Sequence, residues 1–395
     1  MSTATDSRSW LLPVAALFVA TIAVITTQSI VPGLLPQLAA DFSVDIPTAG
    51  LLITGFALTS AVAGPVLALV TGGVSRKHLL LAAVTVFVLG NVLSALSTGY
   101  GLLLAARIVV ACSHGLIFGL ATVLATQLAP EGRKTSAVSL VVAGSTVAGI
   151  AGIPLGIIVG AAFGWRTTFW GLAAAGALVG VAVWLLVPSA GKQPQQKMLT
   201  QLRAALRSDA LIGYGVFCLY MFSNMTIFAY IVPLLTQTSG VPAAMIPWVL
   251  SGMGAFGLIG NLVGGRLADR WPMATMLGIV AAVAVITLVM VFLVGNAWGL
   301  VIAIWARWMV GFGFPAPLRA RVLKDAAGAE TLASTLTTTA SNLGTGVAAA
   351  AGAAAIAGGW GYASLLPISI AATTAVMLGL LILKARDRRK KPALA

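Results

Sequence analysis

The sequence predicts an all-α membrane protein of twelve spanning helices in two pseudo-symmetric six-helix halves. Three observations carry that expectation. Hydrophobic residues make up 59% of the 395-residue chain and charged residues only 8%, with a mean hydropathy of +1.03; a soluble domain carries about 25% charged residues. Gly, Pro and charge clusters punctuate the chain into twelve apolar runs, each near the roughly 20 residues that a helix needs to cross a hydrocarbon layer. One long polar interruption, residues 188–210, divides the runs six and six.

Residues 1–9 form an N-terminal tail, and the first run, 10–31, ends in ITTQSIVPGLLP. It is too long for a cleaved leader, continues into Pro-Gly without a cleavage signal, and is followed by another span. Pro32, Gly33 and Pro36 suit a helix that bends toward the outer side. Runs at 49–70, 79–96, 102–124, 136–160 and 167–187 complete the first half, 10–187. The interruption PSAGKQPQQKMLTQLRAALRSDA has linker composition, and QLRAALR suits a short amphipathic helix on the inner surface. The second half, 211–384, holds runs at 211–236, 245–263, 273–294, 300–318, 331–357 and 363–383, before a basic tail at 385–395.

The halves read as distant copies. Each has a Gly-rich basic loop between its second and third runs, GGVSRKH (72–78) and GGRLADRWP (264–272), and each has an arginine early in its fourth run, Arg107 and Arg307. Each closes its fifth run on a Gly-Trp turn, GWR (164–166) and GWG (359–361). Paired six-helix repeats with a binding site between them near the midplane are a transporter architecture.

The net charge of +14 invites a nucleic-acid reading, which the placement of the charges excludes. Of 23 Lys and Arg, 20 fall in the tails and on one side of the spans, an asymmetry that puts both termini in the cytoplasm. The tail RDRRKK then serves as a topology signal and lipid-headgroup anchor. Cys112 and Cys218 both fall within runs and have no metal-ligand or disulfide spacing.

Chemistry inside the spans is sparse. Arg107 lies about five residues into the fourth run, some 7 Å deep at about 1.5 Å per residue. His114 follows two helical turns later on the same face, the only side chain in any span whose ordinary pKa is near neutrality. All nine carboxylates (Asp6, Asp41, Asp45, Glu131, Asp209, Asp269, Asp325, Glu330 and Asp387) fall in a tail, a loop or a span end. A buried arginine without a nearby carboxylate needs carbonyls, water or substrate around it, so the cavity reads as neutral to positive.

Four stretches carry a resemblance: PGLLPQLAADFSVDIPTAGLLITGFAL (32–58), GSTVAGIAGIPLGIIVGAAFGWRTTFW (144–170), GGRLADRWP, and RVLKDAAGAETLASTLTTTASNLG (321–344). Through them the whole chain resembles the major facilitator superfamily, in particular its twelve-span drug:proton antiporter branch with the arabinose-, purine- and chloramphenicol-efflux proteins. The resemblance implies efflux by alternating access, usually as a monomer. It makes Gly149, Gly152, Pro154 and Gly156 an antiporter motif in a helix lining the contact between the halves. It makes Arg76, Lys77, Arg266, Asp269 and Arg270 gating residues, and it has Arg107 contact the first helix and take part in proton coupling. The chain departs from the pattern at three places: no Asp accompanies Arg76 and Lys77, Ala111 stands where Gly commonly follows, and Gln28 occupies the position where many relatives carry an acid.

The expected substrate-binding residues are Gln28, Arg107, His114, Tyr220, Asn224, Phe228, Met253, Phe256, Trp308, Phe312 and Asn342, whose aromatic, Met and amide side chains suit a roomy pocket. Arg107, His114 and Asp41 are the proton-coupling candidates. The expected partners are a small-molecule substrate, protons and the lipid bilayer, with no nucleic acid, no metal and no cofactor, in a bacterial-type inner membrane. An uncoupled facilitator of a sugar or nucleobase is the alternative. With two histidines and no carboxylate inside a span, neither a catalytic triad nor a metal site can be assembled, which argues against an intramembrane enzyme.

Overall fold

The computed structural model describes residues 10–70, 74–188 and 205–390. The two tails and most of the 188–210 linker, with its suggested amphipathic helix, lie outside the described residues, apart from the start of the basic tail. Among the described residues twelve helices are long and apolar enough to span: α1 Leu11–Ser29, α2 Ile46–Leu67, α3 Arg76–Ala95, α4 Tyr100–Leu128, α5 Lys134–Phe163, α6 Trp165–Leu186, α7 Ser208–Phe228, α8 Ala243–Arg270, α9 Pro272–Leu293, α10 Ala297–Asp325, α11 Leu332–Ala357 and α12 Tyr362–Arg389. The twelve apolar runs are these twelve helices.

The proline-rich positions shape rather than end them. The chain breaks at Ser29–Ile30 and restarts as a helix over Val31–Asp41, with Pro32 in its first turn, where a missing N–H has no intrahelical bond to lose. The same break recurs after α7, where a short Ile231–Pro233 helix runs into a wide π turn over Leu234–Thr238. In α5 a π turn over Ala148–Gly152 directly precedes Pro154, itself in the first turn of the segment Ile153–Phe163. An extra residue in the turn and an absent N–H together interrupt the regular ladder of the span there.

Contacts divide the chain into two compact units, Met1–Asp45 with Val62–Gln195, and Ile46–Ala61 with Gln196–Ala395. In the first unit α1 packs on α4, α5 and α6, and α3 on α4 and α6. Glycines set how closely α5 approaches its neighbour: a Cβ on Gly144 would sit 2.8 Å from the Phe18 carbonyl, and one on Gly152 would sit 2.3 Å from Thr26 Oγ1. One on Gly156 would sit 2.7 Å from Ile30, and one on Gly160 would sit 2.8 Å from Leu34. The spacing of four and eight residues puts these glycines on one helix face, the small-residue packing that substitutes in lipid for a hydrophobic driving force.

The second unit repeats the plan, with α7 packed on α11 and α12, and α9 on α10 and α12. Its tightest seam joins α8 to α10, where a Cβ on Gly260 would lie 1.5 Å from the Met309 carbonyl and one on Gly264 would lie 2.4 Å from Gly313. The stretch Ile46–Ala61 belongs to this unit; Thr339 on α11 donates to the Ala61 carbonyl at 3.2 Å, and Gly346 accommodates Leu58. At one end of the unit Arg321 holds Asp387 through two bonds of 2.7 Å and Asp325 through a third, while Arg386 reaches Asp209 and Ser208 at 2.9 Å. These ties explain why α10 runs to Asp325, seven residues beyond the apolar run: Arg321 is paired with Asp387 of α12 and with Asp325.

Candidate functional site: a buried arginine in each unit

Arg107 and Arg307 are both fully buried, at 0% exposure. In the first unit Arg107 Nη1 donates to the Thr27 carbonyl at 2.9 Å, and its guanidinium lies 6.0 Å from the Phe169 ring. Thr27 is in the last turn of α1, beside half-buried Gln28 and just before the break at Ser29. The carbonyl end of a helix carries partial negative charge, so a helix terminus meets the cation. His114, 6% exposed, lies two turns further along α4. Gln28, Arg107 and His114 thus all belong to this unit, on α1 and α4.

Arg307, on α10, sits in a cage of neutral oxygens. Its Nε donates to Thr287 Oγ1 at 2.9 Å and its Nη1 to Asn224 Oδ1 at 3.0 Å. Its Nη2 faces Ser369 Oγ at 3.1 Å and Ser223 Oγ at 3.3 Å. The cage is itself tied together: Ser223 Oγ pairs with Ser369 Oγ at 2.9 Å and with Thr373 Oγ1 at 2.7 Å, and Thr287 donates on to the Val283 carbonyl at 2.6 Å. Four helices, α7, α9, α10 and α12, therefore converge on one charge, and no described carboxylate pairs with it.

Several expected cavity residues gather around this arginine. Asn224 is held by its own helix through Nδ2 to the Tyr220 carbonyl, 2.8 Å, and Tyr220 donates its hydroxyl to the Gly311 carbonyl at 2.5 Å. Phe228 and Trp308 form a ring pair at 5.8 Å, with the Arg307 guanidinium 5.4 Å from the Trp308 ring. Phe256 stacks instead on Trp305 at 5.5 Å, whose Nε1 donates to the Val249 carbonyl at 2.9 Å, and Met253 is buried on the same helix. Phe312 is 48% exposed against Gly257, while Asn342 is buried on α11, which supplies nothing to the cage. The sequence reading paired Arg307 with Arg107 but did not place it in the site, and it passed over Ser223, Thr287, Ser369 and Thr373. The repeat was the signal for the arginine; small hydroxyls inside an apolar span give none.

Asp41 has a different setting. Its Oδ2 accepts from Arg166 Nη1 at 2.8 Å and Trp165 Nε1 at 3.1 Å, while Arg166 Nη2 donates to the Ser97 carbonyl at 3.1 Å. The hydrogen bonds from Arg166 and then Trp165 hold the Asp41 carboxyl below the usual carboxylate range. Gly164, at φ +87°, provides the left-handed turn that brings Trp165 and Arg166 to it. The GWR turn is a clasp joining three chain segments.

Of the expected gating residues, Lys77 donates to the Trp184 carbonyl at 2.8 Å, closing the end of α6, and Arg76 begins α3 after a Ser75 cap. Arg266, Asp269 and Arg270 are exposed near the end of α8 and form no salt bridge with a described residue. Of the motif residues in α5, Gly152 and Gly156 meet α1 and Ile30 of the same unit, Pro154 follows the π turn, and Gly149 lies within it.

Comparison with known proteins places this geometry. A family model described as Major Facilitator Superfamily matches residues 17–349 and again 212–395. The chain is 32% identical over 376 residues to the inner membrane transport protein YdhP of Escherichia coli K12, covering 95% of this chain and 96% of that one. It is 30% identical over 327 residues to a probable sugar efflux transporter of Mannheimia succiniciproducens, covering 81% of each. Among solved structures, a bacterial homologue of the human lysosomal transporter Spinster superposes with a TM-score of 0.71 at 19% identity, covering 97% of this chain and 96% of that one, which shows a shared fold. With a family model across its length and full-length relatives that are transporters, the chain belongs to the Major Facilitator Superfamily and is an integral, multi-pass membrane transporter, not an enzyme.

Proposed function

We propose that the protein is an exporter of small amphiphilic molecules, neutral or anionic, working by alternating access between the halves 10–187 and 211–384 in a bacterial-type inner membrane with both termini cytoplasmic. The observation that carries the substrate class is electrostatic. Each unit buries an arginine met by neutral oxygens, and every described acid lies in a connection or within a few residues of a helix end. An organic cation approaching either arginine gains no counter-charge and meets a positive one; an uncharged or anionic amphiphile does not pay that penalty. The direction of transport is supported by the efflux relative.

Proton antiport is the proposed coupling, with His114 as the carrier and Arg107 as the charge that responds to it. Asp41 is left out of that role because its paired carboxyl stays ionised through the neutral range. The glycine face of α5 and the basic residues Arg76, Lys77, Arg266 and Arg270, with Asp269, are proposed as the gating parts, in a protein that works as a monomer. The test is efflux from proteoliposomes with and without an imposed pH gradient. Acceleration by an inward proton gradient that His114→Ala removes supports antiport; equal rates sink it. Equal rates are also the result expected of the second reading, an uncoupled facilitator of a sugar or nucleobase, which Gln28 at the usual acid position favours.

A further inference from the structure

Arg307 is a complete positive charge, and no described carboxylate pairs with it. Arg107 at least faces the negative end of a helix in its last turn; the Arg307 acceptors are the hydroxyls of two serines and a threonine, an amide and, at 3.4 Å, the Ser223 carbonyl. Burying a charge without a compensating one is costly, and a binding protein that tolerates the cost has a use for a ligand that removes it.

The cage also shows which side is open to exchange. Thr287 is committed to the Val283 carbonyl, and Ser223, Ser369 and Thr373 are bonded to one another. Of the side chains in the cage, Asn224, which offers Oδ1 on the Nη1 side, is the most exposed, at 9% against 0% for Ser223, Thr287, Ser369 and Arg307. Beside it lie the Phe228 and Trp308 rings, with the guanidinium over Trp308. A neutral amide gives one bond to a guanidinium; a carboxylate gives a charge-assisted pair.

We propose that Arg307 is an anion subsite, that its ligands are aromatic carboxylates, and that they take it by displacing the Asn224 amide while their rings pack on Phe228 and Trp308. The inference rests on the reading of the chain as a transporter of neutral or anionic amphiphiles, and it names the anion and the residue that receives it.

The experiment measures binding of 1-naphthoate and of its uncharged counterpart 1-naphthamide to the purified full chain in detergent, by thermal shift and tryptophan fluorescence. Wild type should prefer the carboxylate at least tenfold. Asn224→Asp, nearly isosteric, supplies the missing charge from within while giving up the Nδ2 bond to the Tyr220 carbonyl; it should bring the preference to about one. Arg307→Gln should also abolish the preference. A wild-type preference near one, a preference that survives Asn224→Asp, or no naphthoate binding at all would each overturn the proposal. Cell accumulation of both probes is scored separately: an intact preference without export would sink the efflux reading and leave the subsite standing.

Discussion

Asp41 is a paired carboxylate, held by Arg166 and Trp165. A carboxylate whose pKa is depressed in the folded state contributes stability above its unfolded pKa of about 3.9, and that contribution is lost only as the pH falls through the lower folded value. Asp41 therefore stays charged across the neutral range, tied to Arg166 and Trp165. Asp41→Asn should leave the pH profile of transport unchanged and lower thermal stability by no more than about 1 kcal/mol, since both members of the ion pair are partly exposed; a shifted profile would restore Asp41 as a proton carrier. Gln28→Glu makes the opposite point. Beside Thr27 at the α1 terminus it adds a titratable group near Arg107, and transport measured across pH should then gain a dependence on acidity or admit cationic substrates. At this scale the sequence disclosed the two arginines, because arginine in an apolar span stands out. It did not disclose the Ser and Thr cage, because Ser and Thr at interior helical positions commonly satisfy their own turn and read as filler, whereas Ser223 and Ser369 bond each other across two helices.

Among the helices, glycine determines which neighbours approach most closely. The Gly260 position meets the Met309 carbonyl, which belongs to the backbone and has no rotamer to yield. Gly260→Ala should force α8 from α10 at a cost of about 1–3 kcal/mol, seen as a lowered melting temperature and poor recovery of folded protein. Gly278→Ala, on α9 with open space around it, should be neutral or stabilising by up to about 1 kcal/mol from helix propensity alone. Equal behaviour of the two variants would refute the seam. The helices themselves were legible because span length is imposed by bilayer thickness and apolar runs report it directly. Their ends were less so. The apolar run of α10 stops at its first charges, but the helix continues because Arg321 finds Asp325 and Asp387, partners that a one-dimensional reading cannot see. Asp269 shows the converse: with Arg266 and Arg270 near it in sequence, it forms a salt bridge with neither.

For the whole molecule, the repeat is the most informative feature. Helix breaks after α1 and α7, left-handed glycines at both Gly-Trp turns, and a buried arginine early in α4 and α10 recur in register. The repeat was readable from paired landmarks alone. What the copies do differently was not, because it depends on which oxygens surround each arginine: a helix terminus for Arg107, a hydroxyl and amide cage for Arg307. If both charges shape selectivity, then replacing either with glutamine should raise transport of an organic cation relative to an uncharged amphiphile in the same proteoliposomes; an unchanged ratio would remove electrostatics from the account of substrate choice.

The ties of Arg321 to Asp387 and Arg386 to Asp209 bear on how the protein can be handled. Asp387 is the last residue whose side chain is seen bonded to the bundle among those described, and the helix persists to Lys390. A fluorescent reporter or affinity tag appended after Ala395 keeps both clamps. A shortened version ending before Arg386 leaves Arg321 with Asp325 alone and Asp209, only 5% exposed, without its cation. Yield and monodispersity should separate the two designs, which makes the clamped helix end the boundary for expression engineering.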